Sequence, residues 1–525
     1  MKNATFKTVL TCCAALALCQ AAEAQRVTFE QNRDFRDQVG WPVHRGCPIV
    51  ADFDNDGFMD VYYGGTSCEN GWACRGVLAR SNGDGAFSAN LEAIFDYETT
   101  YEKVYSLDTI WHEDGSYELQ DSILDGKVVM DTIVTEKFVG MKNGLPVSLR
   151  GFGSQPFDFN SDGLVDFITL NQGGNMSGLN PRYTLVKNLG GGQFETVEDA
   201  ALAAFNYTGD DNFLFNEGSQ YASLVTGDYD RDGYTDLLIT GQAPTEGRFV
   251  KLFRNVNGER FENVNVFHPL PFDKEPNRKG LYKLGESIYD PETGTTVEGE
   301  YTEEPTMQAK PLSHGSVAFI DFDNDGWLDI ISSGYGPGEG NLRIYWNNGD
   351  GTFSENGQYL YGSYDSSCFP CDLNADGWTD IVVTGYSATK GQNAKSFYIY
   401  RNKGGRTFEM LDDLFCGFEG VDGATPSFGD VNHDGLPDIL AGGHGESHEI
   451  TTWLYLNRGD FCFKPYGGWY DTESPWTFNR ITHGNNHLID FDNDGYLDAW
   501  NMGWAHSDVC SRECATELYR NMSSD

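Results

Sequence analysis

One nonapeptide occurs seven times in this chain, and no other feature restricts its fold as much. The copies are DFDNDGFMD from Asp52, DFNSDGLVD from Asp158, DYDRDGYTD from Asp228, DFDNDGWLD from Asp321, DLNADGWTD from Asp372, DVNHDGLPD from Asp430 and DFDNDGYLD from Asp490. Each has Asp at positions 1, 5 and 9, Asp or Asn at position 3 and Gly at position 6. A period of this kind is the signature of a repeat architecture in which one supersecondary unit is stacked many times.

The flanks repeat as well. A short apolar run precedes most copies, as in Val317 to Ile320, and a β-rich run ending in a small residue follows several, as in Asp329 to Gly334 and Asp380 to Gly385. Next comes a Tyr/Phe-x-Asn strand, a Gly-rich turn and a Phe, as in IYWNNGDGTF ending at Phe353 and IYRNKGGRTF ending at Phe408. Short runs rich in Val, Ile, Tyr and Phe, punctuated by Asn-Gly and Gly-Gly, read as antiparallel strands joined by tight turns. No segment has helical periodicity over a useful length. The inner runs are apolar at consecutive positions, as expected where a sheet is covered on both faces. Four strands in each of seven units predict an all-β, seven-bladed β-propeller. Successive copies start 106, 70, 93, 51, 58 and 60 residues apart, so the longer intervals carry insertions, at about 96–150 and 266–312. The seventh unit ends at Glu517 to Asn521 without a Gly-x-Phe strand, and Val27 to Glu30 supplies one, so the N-terminal strand is expected to join the last blade and close the ring.

The Asp loops ask for a cation. Calcium takes six to eight oxygens at roughly 2.3–2.6 Å, which side chains at positions 1, 3 and 5, a carbonyl at 7 and a carboxylate at 9 can provide. The seven loops hold 25 carboxylates, which would raise one another's pKa if no cation were present. Magnesium, with its stricter octahedron and tightly held waters, suits such loops less. An EF-hand needs Glu at position 12; here that position holds Tyr63, Thr169, Ile239, Ser332, Val383, Ala441 and Asn501.

On these residues the unit resembles the FG-GAP/VCBS repeat family, found in the integrin α-subunit head and in many exported bacterial proteins. The resemblance implies a propeller with Ca²⁺, up to seven ions, in the hairpin between the first and second strands of each blade. The ligands it implies in the first loop are Asp52, Asp54, Asp56 and Asp60 with the Phe58 carbonyl, and in the second Asp158, Asn160, Asp162 and Asp166 with Leu164. The third loop would use Asp228, Asp230, Asp232, Asp236 and Tyr234, and the fourth Asp321, Asp323, Asp325, Asp329 and Trp327. The fifth would use Asp372, Asn374, Asp376, Asp380 and Trp378, and the sixth Asp430, Asn432, Asp434, Asp438 and Leu436. The seventh would use Asp490, Asp492, Asp494, Asp498 and Tyr496. Asn at position 3 of the second, fifth and sixth loops should weaken those sites, and Pro437 beside Asp438 makes the sixth the most divergent.

The N-terminus reads as an export signal over residues 1–24. Lys2 and Lys7 precede an apolar stretch, and Ala22-Glu23-Ala24 forms a small-x-small cleavage site. Residues 25–525 would then be the propeller, secreted and extracellular, periplasmic or on the cell surface. Its 34 basic and 78 acidic residues would repel nucleic acid and anionic membranes. No later stretch is long and apolar enough for a transmembrane helix. Nine cysteines remain after the signal. Cys68 with Cys74 and Cys510 with Cys514 are close enough to staple single loops. Cys368 and Cys371 have CxxC spacing, but they lead into a metal loop with no βαβ pattern around them, which argues for a structural role.

If the Asp loops lie on one face, chain direction places the Gly-rich loops at Gly334 to Asn341, Gly385 to Asn393 and Gly442 to His448 on the other. The inter-blade linkers, with His44, Arg45, Arg150, His314, Asp365 and His483, belong there too, as do both insertions, which contain Trp111-His112-Glu113 and Tyr282, Tyr289 and Tyr301. His44, His314 and His483 near three inner strands fit a ligand cluster around the axis or, more plainly, strand-end polarity. Two functions fit this face. One is a recognition or adhesion module for carbohydrate or extracellular protein, the use the resemblance implies. The other is a polysaccharide lyase, which needs a His, Tyr or Lys base and a cation beside a uronate. No catalytic residues are assigned, and no Gly-x-Ser-x-Gly, HExxH or phosphate-cradling motif is present.

Overall fold

The computed structural model describes residues 27, 29–32, 48–66, 74–92, 95–105, 107–111, 117–121, 123–124, 127–128, 130–141, 153–171, 182–203, 223–243, 247–268, 282–284, 288–290, 295–297, 300–302, 307–336, 342–358, 360–364, 368–387, 394–411, 418, 420–445, 450–466, 478, 480–505 and 513–523. Residues 1–24, His44, Arg45, Cys68, His112, Glu113, Arg150, Asp365, Cys510 and the tips of the three Gly-rich loops lie outside them.

Seven sheets, each with a core of four antiparallel strands, follow one another along the chain. Blade 1 runs from Ile49–Ala51 to Phe87–Glu92, blade 2 from Ser154–Phe157 to Gln193–Val197 and blade 3 from Ser223–Gly227 to Arg260–Val264. Blade 4 runs from Ser313–Ile320 to Phe353–Glu355, blade 5 from Cys368–Cys371 to Phe408–Leu411 and blade 6 from Ser427–Gly429 to Phe463–Tyr466. Blade 7 is built from Ile481–Ile489, Asp498–Ala505 and Glu513–Asn521, and its outermost strand is Phe29–Gln31 from the other end of the chain. The expected seven-bladed propeller and its closure by the N-terminal strand are both present.

The closure reproduces the register of the other blades. Phe29 pairs with Asn521 as Phe194 pairs with Asn188, Phe261 with Asn255, Phe353 with Asn347, Phe408 with Asn402 and Phe463 with Asn457. Blade 1 pairs Phe87 with Ser81 in the same place. The repeated Asn-to-Phe spacing in the sequence is therefore the pairing of the third strand with the fourth.

The core lies between blades. Along Asp329–Tyr335 six successive residues are buried, which is why the second strands are apolar without alternation. The residue at loop position 2 is buried in every copy: Phe53, Phe159, Tyr229, Phe322, Leu373, Val431 and Phe491. It packs against the fourth-strand Phe of the next blade, with Phe53 6.3 Å from Phe194, Phe159 5.3 Å from Phe261, Tyr229 5.6 Å from Phe353 and Phe322 5.4 Å from Phe408. The ring closes through Phe491, 5.8 Å from Phe87.

The insertions are partly built into the sheets. Phe267–His268 adds a parallel fifth strand to the edge of blade 4, with Phe267 stacked on Phe353 at 5.5 Å. Ala309 and Leu312 are buried in the same cluster, so both ends of the second insertion belong to the core. In the first, Phe95–Tyr105 pairs with Met130–Met141, and shorter antiparallel pairings join Ile123–Leu124 to Lys127–Val128 and Leu107–Trp111 to Tyr117–Asp121. A four-residue helix, Ala200–Ala203, is the one helix among the described residues; Asp199 caps it, accepting from Leu202 N at 3.0 Å.

Removing a buried Phe costs about 3–5 kcal/mol. Phe29→Ala is expected to cost as much as Phe353→Ala, although Phe29 comes from the far end of the chain. Denaturant unfolding of the two variants checks this, and a much smaller loss for Phe29→Ala would contradict the closure.

Candidate metal centre

The seven loops share one backbone path. Position 4 has a left-handed φ in each, at 59° in Asn55, 58° in Ser161, 58° in Arg231, 57° in Asn324, 54° in Ala375, 57° in His433 and 56° in Asn493. Gly at position 6 follows with φ between 83° and 92°, a region that side chains rarely enter. These two reversals bring positions 1, 3, 5 and 9 together. Pro437 leaves the sixth loop undisturbed, because a residue before position 9 donates no loop hydrogen bond and its carbonyl accepts from Asn457 Nδ2 at 2.9 Å.

The carboxylates hold the loop. Asp321 accepts from Asp325 N at 3.1 Å and from Gly326 N at 2.8 Å, and Asp325 accepts from Trp327 N at 2.9 Å. The position 5 to position 7 bond recurs in all seven copies: Asp56 to Phe58, Asp162 to Leu164, Asp232 to Tyr234, Asp376 to Trp378, Asp434 to Leu436 and Asp494 to Tyr496 complete the set. Asp at position 9 is buried. One oxygen of Asp329 accepts from Phe322 N at 3.1 Å and the other from Asn347 N at 2.9 Å. Asp60, Asp166, Asp236, Asp380, Asp438 and Asp498 make the same two bonds, with Ser81 replacing Asn for Asp60.

The Asn side chain then crosses to the neighbouring blade. Asn188, Asn255, Asn347, Asn402, Asn457 and Asn521 donate through Nδ2 to the position 2 carbonyls of Phe53, Phe159, Tyr229, Phe322, Leu373 and Val431, at 2.7–3.0 Å. Ser81 makes the seventh link, to Phe491 O, at 3.5 Å. The loops also touch one another, with Asn324 Nδ2 donating to Gly377 O at 2.9 Å. His433 Nε2 lies 2.8 Å from Gly495 O, so Nε2 carries the proton, and its ring stacks on Tyr496 at 4.1 Å. The roles of Asn and of position 4 were not read from the sequence, although the Asn recurs visibly in the Tyr/Phe-x-Asn strands.

In four loops, three carboxylates each bring one oxygen to within 4.8 Å of the others, a spacing that one divalent cation can bridge: Asp52, Asp54 and Asp60; Asp228, Asp230 and Asp236; Asp321, Asp323 and Asp325; Asp490, Asp492 and Asp498. These are the loops with Asp at position 3. A model of the FG-GAP-like repeat matches residues 158–239, 321–383, 372–441 and 430–500. The chain is an FG-GAP-like repeat protein. It is similar to human integrin alpha-6, 31% identical over 113 residues that make up 18% of this chain and 10% of the integrin. Rat integrin alpha-7 is 32% identical over 92 residues, 16% of this chain and 8% of the integrin. The matched stretches thus span about a tenth of those relatives. Among solved structures, an Agrocybe aegerita lectin that recognises non-reducing terminal N-acetylglucosamine superposes with a TM-score of 0.35 at 17% identity, over 75% of this chain and 88% of its own. The V. cholerae biofilm matrix protein Bap1 gives a TM-score of 0.27 at 11% identity, over 95% and 91%. Both superpose only loosely.

The FG-GAP-like loops fit a cation in their donor atoms. Asp54 Oδ1, Asn160 Oδ1 and Asp490 Oδ1 are buried oxygens with no hydrogen-bond partner among the described residues; such acceptors are costly unless something binds them. In the three Asn loops, Nδ2 donates to the position 5 carboxylate, from Asn160 at 2.9 Å, Asn374 at 2.8 Å and Asn432 at 3.1 Å. Arginines supply part of the missing charge. Arg406 from blade 5 reaches Asp323 in blade 4 at 2.6 Å, and Arg80 lies 3.6 Å from Asp54. Arg520 pairs with Asp492.

Burial, backed by the neighbouring carboxylates, pushes every position 9 Asp upward: to about 6 for Asp60 and Asp166, about 7 for Asp329, Asp380, Asp438 and Asp498, and about 8 for Asp236. Cys368 and Cys371 sit three apart on one strand, so their side chains face opposite sides. Burial pushes both thiols up to about 12; they are unsuited to redox exchange, as expected.

The shifts fix how stability depends on pH without metal. A carboxyl with a raised folded-state pKa favours folding below its unfolded value near 4, and that contribution is lost as pH rises through the folded value. The melting temperature in chelator is therefore expected to fall between about pH 4 and 8, and in saturating divalent cation to vary far less over that window. Parallel curves in scanning calorimetry would contradict the assignment.

Proposed function

We propose that this chain is an exported recognition module, a propeller stiffened by calcium in seven loops, that binds carbohydrate or extracellular protein. The ligands are those named for each loop: side chains at positions 1, 3, 5 and 9 and the carbonyl at position 7. Calcium suits them because all are hard oxygen donors in a loop whose geometry is fixed by backbone rather than by a strict octahedron. The observation that carries the reading is that the carboxylates at positions 5 and 9 of all seven loops also accept the fold's own amides, and the loops are tied to each other around the ring. That use supports a structural ion, which leaves function to the rest of the surface. The FG-GAP-like repeats shared with integrin α chains support recognition in particular.

Export is supported by the signal-like residues 1–24 and by Cys462, which is disulfide-bonded, as suits an oxidising compartment. No helix among the described residues is long and apolar enough to cross a membrane.

Elemental analysis of the purified chain is expected to find several calcium ions per molecule, and excess EGTA to lower the melting temperature by ten degrees or more, because the ion binds the folded loop and not the extended chain. An unchanged transition in EGTA would sink the calcium assignment. Affinity electrophoresis against polysaccharides, with absorbance of unsaturated uronate products followed in parallel, separates recognition from lyase action: retardation without product is the expected result.

A further inference from the structure

The seven loops are nearly alike, but the opposite edge of the ring is not. Counted fourteen residues on from the first Asp of each loop, the sequence reads Thr66, Gln172, Gln242, Tyr335, Tyr386, His444 and Trp504, and among the described residues this position lies near the far end of the second strand. Only the repeats of blades 4–7 have a ring-bearing residue at this position of the sequence. Their cross-strand pairs are equivalent as well: Ser313 with Tyr335, Tyr364 with Tyr386, Asp422 with His444 and Thr482 with Trp504. Four consecutive blades thus set ring-bearing residues in one row, a strand's length from the metal loops.

The row is held from beneath. Tyr335 is 47% exposed, the one exposed large aromatic among the described residues. The Arg248 guanidinium lies 4.4 Å from its ring centroid and the His314 ring meets it at 6.0 Å. His314 sits in a bulge between Ser313 and Ser316 with φ 55°. A Cβ on Gly315 would stand 1.8 Å from Ser333 O, so the bulge is fixed by glycine. Blade 7 repeats it between Thr482 and Asn485, where a Cβ on Gly484 would stand 1.8 Å from Met502 O. Bulges of this kind re-aim side chains.

In the next two blades the support is ionic. Lys395, 1% exposed, places Nζ 2.5 Å from Asp422 and 3.8 Å from the Tyr386 ring centroid. Asp422 exchanges backbone hydrogen bonds with His444 at 3.1 and 2.9 Å, and His444 Nδ1 lies 3.0 Å from Thr482 Oγ1 in blade 7. The His444 side chain is 27% exposed. A buried ion pair that spends its charge internally orders Tyr386 and His444 without offering a net charge to a ligand.

We propose that blades 4–7 bind a neutral saccharide chain along this edge, with Tyr335 as the anchoring ring and His314, Tyr386 and His444 lining the path. A row of rings set one blade apart suits a ligand that is itself a row of rings, with apolar C–H faces to stack and hydroxyls to bond. A neutral chain suits it better than an acidic one, because the protein carries a formal charge of −43 and repels polyanions at range. The proposal rests on the recognition reading and narrows it.

The test is biolayer interferometry of the calcium-saturated full chain on immobilised β-glucan, mannan, xylan and chitin hexasaccharides and polygalacturonate. At least one neutral hexasaccharide should be retained, and Tyr335→Ala should weaken it tenfold or more. Tyr335→Phe should stay within twofold, as should Leu189→Ala, a control that is 52% exposed in the hairpin beside the metal loops. Melting within two degrees of the parent confirms that each variant folds. Undiminished binding by a well-folded Tyr335→Ala would move the site elsewhere and overturn the row, leaving recognition intact. Retention of polygalacturonate alone, or of no sugar, would also overturn it, whereas release of unsaturated product would overturn recognition itself.

Discussion

The buried carboxylate at loop position 9 is the interaction on which the propeller depends. Each of its oxygens accepts a backbone amide, one from position 2 of its own loop and one from the Asn, or Ser81, that ends the third strand. A single side chain therefore fixes the Asp hairpin against the third strand in every blade. The same placement makes it a poor home for an uncompensated charge, as the raised pKa values show. Structure and cation demand are two consequences of one burial.

From that point the ring is assembled by neighbour contacts. Position 2 buries its side chain against the next blade's fourth-strand Phe and gives its carbonyl to the next blade's Asn. Each blade thus satisfies polar groups that its predecessor leaves over, the condition for a closed array without an exposed edge. The N-terminal strand enters in the register of every other fourth strand because Phe29 and Asn521 are the same pair as Phe353 and Asn347. Ser81 gives the joint between the first and last blades its longest link, at 3.5 Å.

Uniformity on one edge leaves the other edge open to vary. The loops must keep one backbone path, since each is locked to its neighbours and to its own carboxylates. The far ends of the second strands carry no such requirement, and at that position the sequence diverges into amide or hydroxyl residues in repeats 1–3 and ring-bearing residues in repeats 4–7. The Lys395–Asp422 pair and the His314 bulge belong to that second pattern, since neither is demanded by the repeat.

By itself the sequence determined the number of blades, the position of the carboxylate loops, the inter-strand turns and the donor of the closing strand. The first three are local patterns whose physics acts within ten or twenty residues: alternation of turn and strand, the φ demands of Gly, the convergence of Asp at spacings of two and four. The closing strand was legible because the seventh unit lacks a Gly-x-Phe strand and Val27 to Glu30 supplies one. Tertiary structure decided what lies across gaps of tens to hundreds of residues. It made the repeated Asn a link between blades, because the carbonyl it satisfies belongs to a residue 80 to 135 positions away in Asn402 and Asn188. It drew the ends of the second insertion into blade 4 through the packing of Phe267 on Phe353, and it joined Lys395, Asp422, His444 and Thr482 across three blades. Such contacts depend on which edges the closed ring brings side by side, and a chain read one residue at a time carries no record of that.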